Sequence, residues 1–107
     1  MTEIAPQVYS IRQGKTKVPG VDVSKQMVDG ETLVTVPTVV EVNSSNLTIS
    51  NPAVNTTALT INGKSVPIGQ AITFSVEGNL QGRYLLEAYA VSSEGQDIGG
   101  QVRLNIG

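Results

Sequence analysis

Cysteine and histidine are both absent from this 107-residue chain, and each absence closes off a body of chemistry. Without cysteine there is no disulfide, no thiolate nucleophile and no Cys-based metal site. Whatever stabilises the fold is a packed core. Without histidine the commonest general base at neutral pH is missing, and with it the Ser-His-Asp arrangement and the usual zinc and iron ligands. Tryptophan is absent too, and three tyrosines and one phenylalanine are the only rings, which leaves little surface for stacking a sugar. Charge is sparse at 15%, and a formal net of −2 creates no field that would gather a polyanion, so bulk nucleic-acid binding is disfavoured. No apolar run approaches the roughly 18 residues of a spanning helix. The opening MTEIAPQ lacks the charged and apolar regions of a signal peptide, so a soluble intracellular product is expected. The Asn-x-Ser/Thr triplets beginning at Asn43, Asn46 and Asn55 come without a secretion signal and carry little weight as glycosylation sites.

What is present is valine, isoleucine and threonine in short alternating runs, with turn residues at close intervals. In AITFSVE, Ile72, Phe74 and Val76 fall on one face and Thr73, Ser75 and Glu77 on the other. In RYLLEAYAVSS, Tyr84, Leu86, Ala88 and Ala90 alternate with Leu85, Glu87, Tyr89 and Val91, and the first set is predicted to face the core. A Ser-Glu-Gly-Gln turn leads into DIGGQVRLNI, where Val102, Leu104 and Ile106 alternate with Gln101, Arg103 and Asn105, so the last two strands form a hairpin. Earlier elements are shorter. TLVTVPTVVEV places Val34 and Val36 on one face before Pro37, which cannot donate to a ladder and marks an edge or bulge. LTIS and ALTI follow, the second running into the turn pair Asn62-Gly63. About seven short strands at this spacing predict an all-β, immunoglobulin-like antiparallel β-sandwich in one domain. Tyr84 sits where such sandwiches often place a tyrosine whose hydroxyl bonds back to nearby backbone at a corner.

The first twenty residues differ from the rest. VYSIR reads as a strand, but QGKTKVPG has no apolar face, so residues 1–20 are either an extended N-terminal arm or the first edge strand of a sandwich spanning 21–107. Residues 1–25 hold Arg12, Lys15, Lys17 and Lys25 against Glu3 and Asp22, a net of +2, which leaves −4 on the remainder. In VDVSKQMVDGETL, Val21 and Val23 alternate with Asp22 and Ser24, Asp29-Gly30 is a turn pair, and Lys25 to Val28 make a tight crossing with Met27 beneath it. Asp22, Asp29 and Glu31 do not repeat the ligand pattern of a calcium loop, so no metal is expected there.

Taken in order, Asp22-Val23-Ser24-Lys25, Asp29-Gly30-Glu31-Thr32, Leu47-Thr48-Ile49-Ser50, Ile72-Thr73-Phe74-Ser75-Val76 and Ser92-Ser93-Glu94-Gly95-Gln96 form a pattern covering 21–106. This pattern resembles the small β-sandwich proteins encoded among the structural genes of tailed bacteriophages and prophages. Members of that group often carry a large aromatic in the crossing where this chain has Gln26-Met27. The resemblance implies a virion component without catalysis: a capsid decoration or cement protein, or a tail or fibre accessory.

The residues themselves offer no reaction. Asp29 with Glu31, and Glu94 with Asp97, are the nearest carboxylate pairs, but both flank turns where acids favour local backbone bonds. Gly99-Gly100 has no following lysine or helix and is read as a bulge or a close strand approach. The serines lack a base, and Lys64-Ser65 reads as a strand start. No catalytic residue, cofactor or metal is therefore assigned. Leu85, Tyr89 and Val91 would form an apolar row on the solvent side, covered either by VYSIR or by another molecule. The expected protein interface is Gln7, Tyr9, Ile11, Arg12, Lys15 and Lys17 of the arm together with Leu85, Tyr89 and Val91. Its expected partners are the major capsid protein or other virion proteins, with further copies of the chain, and neither nucleic acid nor membrane. Deleting residues 1–17 is expected to abolish attachment and leave a folded body. The rival is an adhesion module on a tail or fibre that contacts host carbohydrate.

Overall fold

The computed structural model describes residues 7–42, 47–61 and 63–107, with the backbone alone at Gln7. Apart from a single 3₁₀ turn at Ser24–Gln26, every regular element among them is a strand. These are β1 (Gln7–Ile11), β2 (Thr16–Lys17), β3 (Gly20–Asp22), β4 (Thr38–Val42), β5 (Leu47–Val54), β6 (Leu59–Ile61), β7 (Lys64–Val66), β8 (Ala71–Gly78), β9 (Gly82–Val91) and β10 (Asp97–Ile106). They build two layers. The first sheet runs β1-β10-β9-β4. In the second, β8 is central, with β5 along one edge and β2 and β3 in tandem along the other. Pro19 separates β2 from β3 because it has no N–H to offer, yet its carbonyl still accepts from Phe74 N at 3.4 Å. The hairpin β6-β7 stands apart, closing a small cluster of Ile61, Val66 and Ala71.

Alternation decides which side of each strand is buried. Ile72, Phe74 and Val76 from β8 meet Leu86, Val102 and Leu104 from β9 and β10, all with no exposed surface, and Val21 and Val23 join them. Each such side chain contributes roughly 1.5–3 kcal/mol by leaving water. Met27 packs against this core from the crossing, as expected. Tyr84 also behaves as its position predicts: its hydroxyl donates to Leu80 O at 2.8 Å, four residues upstream, and closes the β8–β9 corner.

Two expectations need correction. Residues 32–37 are not a strand: Val34 and Val36 are 62% and 79% exposed, and it is Leu33 that turns inward, bridging to Ser92. Regular pairing begins only at Thr38, after Pro37. The pairing of β1 with β10 is parallel, not antiparallel. Of the two readings left open for residues 1–20, the described part, 7–20, follows the edge-strand one: β1 edges the first sheet, β2 and β3 edge the second, and the 12–15 turn between them is bolted to the body. In that turn Gly14 N donates to Gly78 O at 2.7 Å, Gln13 N donates to Gly107 O at 3.0 Å, and Lys15 O accepts from Gly78 N at 3.2 Å. Residues 1–6, Asn62 and the triplet asparagines Asn43 and Asn46 lie outside the described residues.

Candidate interaction surface

Polar side chains close the sandwich on both flanks. On one, Tyr9 points from β1 toward β3, where its hydroxyl donates to Gly20 O at 2.6 Å and accepts from Gly20 N at 3.2 Å. Lys17 adds to this: its ammonium donates to Ser10 O at 3.3 Å and lies 5.3 Å from the centre of the Tyr9 ring. On the other flank, the Glu41 carboxylate of β4 accepts from Leu47 N of β5 at 3.0 Å. These four bonds tie one layer to the other without extending either sheet.

The arm residues are therefore largely occupied within the chain. Ile11 is buried in the core, which removes it from any docking role, and Tyr9 and Lys17 act as the flank latch. Arg12 and Lys15 are exposed on the turn, held by their backbones, with Arg12 O accepting from Lys15 N at 3.0 Å. Gln7 opens β1 opposite Val102. Deleting residues 1–17 would strip an edge from each sheet and leave a hole at Ile11, so the folded remnant expected from the sequence does not follow.

The outer side of the first sheet keeps the other half of the expected interface. Register places Leu85, Tyr89 and Val91 there, with Tyr89 45% exposed and the other two half-buried. VYSIR does not cover them, because it lies beside β10 and not across β9. Register also adds residues that the sequence did not single out: Val42 opposite Leu85, Val40 opposite Glu87, and Val8 opposite Arg103. Val8 and Val40 are 59% and 38% exposed. Their signal was the alternation within VYSIR and TVVEV, whose phase is fixed only by the strand partner. At one end the face dips into a groove of about 520 Å³ lined by Val8, Arg83, Tyr84, Leu85, Arg103 and Asn105.

The buried polar groups serve structure. Glu31 turns inward and is 3% exposed; its Oε1 accepts from Val28 N at 3.1 Å and its Oε2 accepts from the Ser92 hydroxyl. Ser92 Oγ in turn accepts from Glu94 N at 3.2 Å and Gln96 N at 3.3 Å, organising the β9–β10 turn. A serine against a carboxylate has the look of a nucleophile with its base, but Ser92 is 2% exposed and its hydroxyl is engaged in organising the turn. Asn55, 6% exposed, uses its whole amide. Nδ2 donates to Thr57 O and Pro67 O, both at 2.9 Å, while Oδ1 accepts from Gly69 N and Ala71 N, both at 3.0 Å. Asp22 accepts from Ser24 N at 2.9 Å and from the Ser24 hydroxyl at 2.6 Å, a turn bond local to the crossing. Among the described residues no three acids gather at one point, and no helix is long and apolar enough to cross a membrane. Compared with known protein families, curated proteins and solved structures, the chain matches none.

Proposed function

We propose that this chain is a non-enzymatic structural component of a tailed-phage virion: a capsid decoration or cement protein, present in many copies, that binds the major capsid protein and stabilises the head. The observation that carries the docking role is the outer face of β1-β10-β9-β4, which no other described element covers and where Val8, Val40 and Tyr89 stand exposed beside the half-buried Leu85 and Val91. The virion setting rests on the ordered resemblance running from Asp22 to Gln96. We read the sandwich as immunoglobulin-like. Support comes from the division of strands, with β10, β9 and β4 in one layer and β3, β8 and β5 in the other, and from the Tyr84 hydroxyl bond at the corner.

The docking side is the outer face, to which the N-terminal segment gives Val8, while its Tyr9 and Ile11 serve the chain's own flank and core. A tail or fibre adhesion module is the second reading, and one observation favours it. Tyr89 is an exposed ring on an otherwise open face, the kind of group that stacks on a sugar. Quantitative mass spectrometry of virions purified from the host that carries the gene separates the two. Copy numbers comparable to those of the major capsid protein support decoration. A few copies at the tail support adhesion, and absence from the particles overturns both.

A further inference from the structure

All three arginines of the chain gather at one end of the first sheet. Arg103 pairs with Leu85 and Asn105 with Arg83, so Arg83 and Arg103 are diagonal neighbours on the outer face, roughly 7–8 Å apart. Both line the groove of about 520 Å³, beside Val8 and Leu85. A second groove of about 320 Å³ adjoins the first at Asn105, which lines both, and it takes in Ser10 and Arg12. Neither lining includes an aspartate or a glutamate. Glu87 lies on the same face as a diagonal neighbour of Arg103, yet among the described residues none of the three arginine side chains makes a hydrogen bond or ion pair. Like charges side by side on a sheet are destabilising, so the cluster costs the fold something and returns it no bond. A bound anion reverses that sign.

We infer that the two grooves hold an extended acidic segment of the partner protein, with carboxylates at alternate positions. This rests on reading the outer face as the docking surface. In an extended segment, side chains two residues apart point the same way and stand about 7 Å apart, which matches the separation of Arg83 and Arg103. Each guanidinium takes one carboxylate through paired N–H donors, while Val8 and Leu85 pack against the methylene groups of the acids. An acidic sugar fits less well. Tyr84 is the one ring in the lining, it is 8% exposed and its hydroxyl is bonded to Leu80 O, so no ring face is open there for stacking. Nucleic acid is disfavoured by the formal net charge of −2.

An NMR titration of the isotope-labelled whole chain tests this, with a capped pentapeptide carrying glutamate at alternate positions and serine between them as the probe. The amides of Val8, Arg83, Arg103 and Asn105 are expected to shift saturably, with a Kd of about 1 mM or tighter. Arg83→Gln and Arg103→Gln are each expected to weaken binding about threefold, and together about tenfold. Lys64→Gln removes the same charge from the separate β6-β7 hairpin and should leave the affinity unchanged, and all of these variants should keep the wild-type melting temperature. The glutamine version of the peptide, and glucuronate as the acidic-sugar probe, should both bind more weakly than the glutamate peptide. Shifts that never saturate or that fall elsewhere on the chain, an affinity that Lys64→Gln lowers as much as the arginine variants do, or tighter binding of glucuronate would overturn the inference. A chain that ignores the peptide yet is present in many copies on virions would sink the acidic segment and spare the virion role. Peptide binding by a chain absent from particles would do the reverse.

Discussion

The side chain of Gln26 faces the backbone of Gly99 as one strand faces the next. Gly99 N donates to Gln26 Oε1 at 3.2 Å, and Gln26 Nε2 donates to Gly99 O. Along this edge β1 pairs with β10 only from Val102 onward, so the carboxamide stands in for the missing strand. Gly99 suits the position because a Cβ there would come within 2.9 Å of Ala88 O and of Tyr89 Cβ.

Replacing Gln26 with alanine is therefore expected to cost about 1–2 kcal/mol by leaving a strand edge half-satisfied. Chemical denaturation gives the loss, and hydrogen exchange should accelerate at the Gly99 amide. Wild-type stability with an equally protected Gly99 would contradict this role.

Asn55 makes a sharper case, since its amide holds two donors and two acceptors at once. Asn55→Ala is expected to cost about 2–4 kcal/mol, the penalty for several buried polar groups left unpaired, out of a typical total of 5–15 kcal/mol. Asn55→Asp should cost more, because a carboxylate oxygen would face the carbonyls of Thr57 and Pro67 in place of a donor. Thermal unfolding of the two variants provides the order, and an aspartate variant as stable as wild type would refute the account of this site.

The long hairpin was legible because alternation over ten residues leaves one phase to bury, and Leu86, Val102 and Leu104 lie where that phase puts them. The run from Thr32 to Pro37 alternates as well, yet Val34 and Val36 face solvent. A single-residue change of phase exchanges the faces, and here the Leu33 bridge to Ser92 sets it from sixty residues away. The parallel course of β1 depends likewise on a partner at the far end of the chain. From the sequence, Glu31 reads as an acid flanking a turn and Asn55 only as the start of an Asn-x-Thr triplet. Their burial depends on Ser92, Gly69 and Ala71, which no local pattern connects to them. Of the docking face, Leu85, Tyr89 and Val91 were legible from one strand, whereas Val8, Val40 and Val42 required the register.

Truncation distinguishes an arm from an edge strand. Removing residues 1–17 deletes β1, β2 and the Ile11 side chain, and loss of a buried isoleucine alone costs about 2–5 kcal/mol. The truncated chain is expected to lose its cooperative melting transition. Tyr9→Phe, which removes the hydroxyl that latches to Gly20, should remain folded and lose about 1–2 kcal/mol. A stable truncated body would restore the arm.

Contact on the virion through the outer face of β9 is tested most directly by photo-crosslinking in assembled particles. A photoreactive phenylalanine analogue is placed at Tyr89 in one variant and at Ser75, on the opposite sheet, in another. The account predicts covalent capture of the major capsid protein or of a second copy from position 89 and little from position 75. Capture from position 75 alone, or particles that lack the chain, would contradict it.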